Sequence, residues 1–410
     1  MTDARRTIEA VWRIEGARIV ASVAKATGDL GLAEDVAQEA VVEALASWDR
    51  EIPANPGAWL TAVAKRRAVD AWRRSGRLDD RHAAIALTLD EATADEWQPI
   101  DDDIVRLVFT ACNPALSRES QVALTLRVVA GLTTEEIARM LLTTVSTVQA
   151  RITRAKKTLA AARVPFETPG PGDWAARLTA VLGVVYLVFT EGYAATGGER
   201  WVRPDLADEA IRLGRVVASL LPREPEPLAL VALMEFQRSR FAARETPDGT
   251  PILLADQDRR RWDHGQIVRA VSVLRRADAV AAARRTARGP YALQAAIAEC
   301  HAIAPSVEAT DWARIVLLYE TLGRIAPNPV VDLNHAVAVS MATGPAEALA
   351  LVEEIDDAAF RGSYLLPSVR GELLARVGRL DEARSELRAA ASLVRSAAQR
   401  SVLEAKADRL

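Results

Sequence analysis

Between Thr133 and Arg163 the chain reads TTEEIARMLLTTVSTVQARITRAKKTLAAAR, with short polar side chains followed by cations. Thr144, Ser146, Thr147, Gln149 and Ala150 are small enough to meet base edges in a groove. Arg151, Arg154, Lys156 and Lys157 can neutralise phosphates or bond purine edges. From Ile137 to Phe166 there is no acid. The chemistry these types support is duplex DNA recognition. A helical hairpin with a solvated basic face fits the same composition.

Such groups need a rigid scaffold, and the spacing supplies one. Thr133 and Glu136 have the S/T-x-x-E spacing of a capping box, so a helix starts there with Ile137, Ala138 and Leu141 inside. Thr143-Thr144 makes a short turn with a hydroxyl placed to cap a second helix. Val145, Val148, Ile152, Ala155 and Leu159 then recur at threes and fours, one apolar stripe. A short helix, a tight turn and a longer basic helix form a helix-turn-helix pattern.

A second basic stretch lies upstream. Pro53 and Pro56 precede a predicted helix over Gly57–Ser75, and Lys65, Arg66, Arg67, Arg73, Arg74 and Arg77 face one acid, Asp70. Trp59 and Trp72 fall at apolar positions of that helix, which reads as core rather than as a base-stacking platform. Before it, Leu32–Trp48 is a predicted helix with Val36, Ala40, Val41, Ala44 and Leu45 inside and Glu34, Asp35, Gln38 and Glu39 exposed. Acids in a first turn suit the helix dipole, and they equally suit a basic partner. An earlier helix spans about Arg5–Ala26, with Ile8, Val11, Trp12, Ile14, Ile19 and Val23 as its apolar positions. Between the two basic modules, His82–Val105 is acidic and has no Lys or Arg, the pattern of a solvated linker.

The chain has 410 residues and a net charge of −3, and its Ala, Leu, Arg and Glu content favours helix. Cys112 and Cys300 lack metal or disulfide spacing, which fits a reducing cytoplasm. The N-terminal stretch has no apolar signal core. The most apolar run, Leu178–Phe189, is shorter than the roughly 20 residues of a membrane span. The expectation is an all-α, cytoplasmic protein with no membrane segment.

Four blocks in order, AEDVAQEAVVEAL, AWLTAVAKRRAVDAWRR, SRESQVALTLRVVAGLTTEEIARML and VSTVQARITRAKKTL, resemble a sigma-70 family initiation factor of the extracytoplasmic-function (ECF) type. The resemblance covers roughly Thr7–Arg163. It implies a region 2 domain over 5–78, an acidic linker over 79–102 and a helix-turn-helix region 4 domain over 103–165. It further implies that Glu34, Asp35, Gln38 and Glu39 meet the clamp coiled coil of core RNA polymerase, with the flap region as a second contact. Lys65, Arg66, Arg67, Asp70, Arg73 and Arg74 would serve the −10 element. Thr144, Ser146, Thr147, Gln149, Ala150, Arg151, Arg154, Lys156 and Lys157 would serve the −35 element. Many relatives carry a basic residue where Gln149 stands, a departure that bears on base preference there.

Beyond the linker PFETPGPG, the stretches LVFTEGYAATGGERW, LLADQDRRRWD and GPYALQAAIAECHA are similar to the ECF group 42, which has a long C-terminal helical extension. That group is linked to small DGPF or YCII-related proteins. Helices are expected at about Pro204–Leu221 and Pro225–Arg244, with a loop from Glu191 to Gly198. Gly344 and Gly378 are 34 residues apart, each before a helix carrying Glu-Ala, a tetratricopeptide-like period. The expected division is a helical extension over 173–288 and three TPR-like hairpins over 289–405, a surface suited to a protein partner. His264, Cys300, His301 and His335 have no metal spacing and no nucleophile–base arrangement, so neither a catalytic site, a metal nor a cofactor is expected. A free-standing regulator with a TPR-like sensor uses the helix-turn-helix but leaves Ala33–Arg74 unexplained. A scaffold reading leaves both basic helices without a role.

Overall fold

The computed structural model describes residues 3–48, 51–75, 101–141, 143–193, 203–246, 252, 254–394 and 397–410. Arg77, most of the acidic linker, and the side chains of Trp72 and Arg74 lie outside the described residues. The described chain is helical, and it divides into two compact units, residues 1–191 with 208–220, and residues 192–207 with 221–410.

The first unit begins with α1 (Asp3–Thr27), α2 (Leu30–Ser47) and α3 (Pro56–Ser75). Asp29 starts α2 by accepting from the Leu32 amide at 3.0 Å, and Gly28 makes the turn at φ +68°. Asn55 accepts from the Ala58 amide at the head of α3. Alanines 21, 24, 33, 37, 40, 44, 64 and 68 are buried where these helices meet, so their axes can approach closely. Two sequence expectations fail here for geometric reasons. Ile14 is 70% exposed because it lies about 140° around the helix from buried Ile19, at 100° per residue. On α2 the alanines take the inner face, which leaves Leu45 44% exposed.

Next come α4 (Asp101–Ala111), α5 (Arg118–Val128), α6 (Thr134–Met140) and α7 (Val145–Ala161). Ser117 caps α5 through the Ser120 amide. Gly131, at φ +72°, turns the chain toward the capping box, in which Thr133 accepts from the Glu136 amide and Glu136 accepts from the Thr133 amide. Thr144 caps α7, and Val148, Ile152, Ala155 and Leu159 are its buried stripe.

The link after Arg163 leads to α8 (Trp174–Tyr193), so the helix runs past Glu191 where a loop is expected from sequence. By length and composition α8 could cross a membrane, but Leu178, Val181, Leu182, Val185, Val188 and Phe189 are buried against the first unit. Trp174 meets Phe109 at 5.1 Å between rings, and Arg177 donates to the Phe109 carbonyl at 2.8 Å. In α9 (Pro204–Leu220), Arg212 likewise donates to the Ala130 carbonyl at 2.9 Å.

The second unit holds α10 (Pro225–Arg238), α11 (His264–Ala283), α12 (Pro290–Ile303), α13 (Trp312–Ile325), α14 (Pro329–Ala342), α15 (Pro345–Glu353), α16 (Leu365–Arg376), α17 (Leu380–Leu393) and α18 (Ala397–Asp408). α10 stops at Arg238 rather than Arg244, and a 3-10 turn over Phe241–Ala243 follows. Glu226 accepts from the Tyr291 and Ala292 amides and so caps α12 from a neighbouring helix. Gly344 at φ +138° and Gly378 at φ +86° make the turns into α15 and α17. Among the described residues, α12 to α17 form three successive helical hairpins and α18 closes the series.

Candidate nucleic-acid interface

The face of α7 opposite its buried stripe carries the polar groups singled out from sequence. The Thr144 hydroxyl accepts from the Thr147 amide and lies 2.9 Å from the Ser146 hydroxyl and 2.8 Å from that of Thr147. This network fixes the first turn, and Ser146 there and Gln149 and Ala150 in the second turn are exposed. Arg154 and Lys157 are exposed further along, while Arg151 is half-buried near Glu119. Exposed cations behind a rigid polar first turn can hold a phosphate backbone while the turn meets base edges.

Lys156 is not on that open face. Its ammonium reaches across to α2, pairing with Glu34 and lying 2.7 Å from Asp35. Arg127 of α5 joins them, 2.8 Å from Glu34, and also donates to the Leu132 carbonyl. Glu34 is therefore 5% exposed, not displayed to solvent as expected from sequence, and it lies past the first turn of a helix that starts at Leu30. Burial alone would raise its carboxyl pKa, but the Lys156 and Arg127 charges hold it below the ordinary value. Burial likewise opposes the charge on Lys156, and Glu34 and Asp35 reverse that and raise its pKa.

The rest of α2 faces α3. Arg66 lies 2.9 Å from Glu43, and Arg67 reaches both Glu43 at 2.6 Å and Glu39 at 3.0 Å. Lys65 is half-buried, and its pKa is lowered by burial and by the nearby Lys25 charge. Asp70 and Arg73 are exposed and 3.9 Å apart. Gln38 is half-buried between the two acidic groups of α2. Trp59 is half-buried and edge-on to Trp48 at 5.4 Å, so its ring belongs to the packing.

Three contacts that sequence reasoning missed join α1 to the later helices. The Trp12 indole donates to the Gly131 carbonyl at 3.1 Å, Arg13 pairs with Glu136 at 3.3 Å, and Lys25 pairs with Asp103 at 3.2 Å. No short motif announces them, because each couples residues tens of positions apart.

Residues 15–78 match Sigma-70 region 2, and residues 107–159 match Sigma-70, region 4. The chain belongs to the sigma-70 family. It is of the ECF type, and the probable ECF RNA polymerase sigma factor SigI of Mycobacterium tuberculosis is 28% identical over 162 residues. That alignment covers 38% of this chain and 56% of SigI. Residues 177–278 match a family of unknown function, DUF6596. The uncharacterized protein R00370 of Rhizobium meliloti is 43% identical over 395 residues, covering 93% of this chain and 90% of that protein. The extension of this sigma factor is thus shared with a relative along nearly its whole length.

In the second unit His301 is half-buried and edge-on to Trp312 at 5.2 Å, and burial with the Arg240 and Arg259 charges lowers its pKa to about 4. Burial raises the Cys300 thiol. Among the described residues no three His, Cys, Asp or Glu side chains gather where a metal could sit.

Proposed function

We propose that this sigma factor docks on core RNA polymerase through α2 and carries it to promoters read by α3 and α7. The observation that carries this reading is the capped, outward-facing first turn of α7, set in a chain that matches both DNA-reading regions in order. Asp35, Gln38, Glu39 and, once unpaired, Glu34 supply an acidic, amide-bearing helix face for a basic coiled coil, where charge complementarity sets register and on-rate. Lys65, Arg66, Arg67, Arg73 and Arg74, with Asp70, serve the opened −10 strand, which needs phosphate neutralisation. Ser146, Thr147, Gln149 and Ala150 meet −35 base edges, and Arg151, Arg154, Lys156 and Lys157 hold the backbone. The hairpins of the second unit serve a protein partner and through it regulate initiation.

The test is run-off transcription with bacterial core polymerase and the full chain on the promoter of its own gene. Transcript that appears only with the added chain, and is lost in Arg154→Ala/Lys157→Ala, supports the reading. Tight DNA binding by the chain alone, with no transcript on any template, would replace it with a free-standing regulator.

A further inference from the structure

From Arg259 to Arg288 the chain has nine arginines, no lysine and two acids, Asp263 and Asp278. α11 runs through this stretch and buries Ile267, Ala270, Leu274, Ala277 and Ala281 on one side. At 100° per residue, Arg275 and Arg276 stand on the opposite side, at the two edges of an exposed strip of Gly265, Ser272, Ala279 and Ala283. Other arginines of the stretch have acids. Arg260 pairs with Asp258 at 2.9 Å, Arg288 with Asp278 at 2.6 Å and Arg284 with Glu224 at 2.9 Å, while Arg269 lies 4.0 Å from Glu235. Among the described residues, Arg275, Arg276 and Arg285 are exposed and no acid pairs with them.

Arg285 is also held where glycine is the unstrained choice. It stands just past the α11 C-cap at φ +56°, its amide donating to the Ala282 carbonyl at 3.0 Å and the Thr286 amide to the Ala281 carbonyl at 2.9 Å. Among the described residues the other non-glycine at positive φ is Arg163, at +47° in the same place past the C-cap of α7 and with the same pair of bonds. A cation suits a helix C-terminus, but Arg284 already supplies one to α11. The device that ends the helix assigned to DNA thus recurs at the end of α11.

We propose that the outer face of α11 is a third DNA contact, independent of base sequence, in which Arg275, Arg276 and Arg285 bind backbone phosphates. The inference rests on the functional reading above only in that promoter DNA is the polyanion at hand, and it gives the extension a direct part in DNA binding. A guanidinium takes two phosphate oxygens at once through its planar fork. From Arg275 to Arg285 is about 15 Å at 1.5 Å per residue, the rise of about four base pairs at 3.4 Å each. Two features favour phosphates over an acidic protein. The strip between the arginines is made of small residues, so a sugar–phosphate backbone can come close to the helix. The face carries no aromatic side chain and Val268 is its one large exposed apolar residue, so it lacks the anchors that dominate protein interfaces.

The test is a salt titration of DNA binding by the full chain, alone and with core polymerase, on the promoter of its own gene and on a duplex without promoter elements. The triple variant Arg275→Gln/Arg276→Gln/Arg285→Gly removes three exposed charges without an acid partner, and glycine adopts φ +56° freely, so the fold is kept. Its log–log salt slope should be shallower than that of wild type by about 3, at roughly 0.9 per phosphate, and by the same amount on both duplexes. Arg275→Lys/Arg276→Lys keeps the charge and should keep the wild-type slope. An unchanged slope in the triple variant, or a slope lost equally in the lysine variant, overturns the proposal. If the wild-type holoenzyme still binds its promoter in that case, the functional reading stands and the face serves an acidic protein instead. If the wild type forms no complex with core polymerase, the functional reading falls. The chain alone on plain duplex then decides the proposal, and absence of binding in low salt overturns it.

Discussion

The Lys156 ammonium lies 2.7 Å from the Asp35 carboxylate and pairs at the same time with Glu34, a residue 122 positions before it. One cation of α7 thus ties that helix to α2. The energetic consequences follow from how deeply Glu34 is buried.

Replacing Glu34 by Gln leaves Arg127 without a counter-charge, and Lys156 with Asp35 alone, in a partly buried site. The expected cost is about 3 kcal/mol, the lower end for breaking a buried pair. Because the folded-state pKa of Glu34 is lowered, its contribution is present above the ordinary value of 4.5 and fades as pH falls through the folded value. The raised pKa of Lys156 acts oppositely, its contribution fading only above the ordinary 10.5. Urea melts of wild type and variant should therefore differ at neutral pH and converge in strong acid. A difference that persisted there would contradict the assignment.

Salt dependence separates base-edge contacts from backbone contacts. In binding of the polymerase-bound chain to promoter DNA, Arg154→Ala and Lys157→Ala should each flatten the log–log salt slope by about 1 and weaken all sequences alike. Gln149→Ala should leave the slope unchanged and alter base preference at one −35 position.

The caps are worth local stability. Thr133→Ala removes one half of the capping box and Thr144→Ala removes the α7 cap, each at about 1 kcal/mol. Thermal melts check this. Thr144→Ala should in addition lower transcription, since the Thr144 hydroxyl holds Ser146 and Thr147.

Truncation should depend sharply on where the chain is cut. Ending it at residue 168 strips α8 from Phe109 and α9 from Ala130, which uncovers apolar surface and should lower the melting temperature and promote aggregation. Ending it at Leu220 keeps both helices and should give a more soluble protein. Equal behaviour of the two would show that α8 and α9 do not support the first unit.

Cys112 offers a simple check of the core. Burial raises its thiol to about 11, and it touches the Thr125 hydroxyl. It should resist iodoacetamide at neutral pH in the native protein and react on unfolding. Rapid native labelling would mean the α4–α5 packing opens readily.

The parts of this structure governed by neighbours in sequence were legible beforehand. The capping box at Thr133, the Thr144 cap and the stripe from Val148 to Leu159 need only spacings of three and four, and all three stand as read. Legibility failed where an alanine displaced a larger apolar residue from an interface, as at Leu45 beside Ala44. It failed again where a charge found a distant partner. Nothing near Glu34 in sequence foretells Arg127 or Lys156, and an acid on a helix is ordinarily solvated. The apolar stretch begins at Leu178, yet α8 starts at Trp174, and Trp174 and Arg177 anchor its first turn to Phe109.

α2 carries Glu34 and Asp35 toward α7 and Glu39 and Glu43 toward α3, so the protein supplies its own counterions to the cations assigned to DNA. When those cations move to phosphates, they leave carboxylates behind rather than drawing on free solution. The ions released from the DNA are then partly recaptured at α2. The measured salt slope should consequently fall short of the number of phosphates contacted, most at Arg67 and Lys156 and least at Arg154 and Lys157. A titration in salt would undercount this interface in proportion to how much of it was paired beforehand.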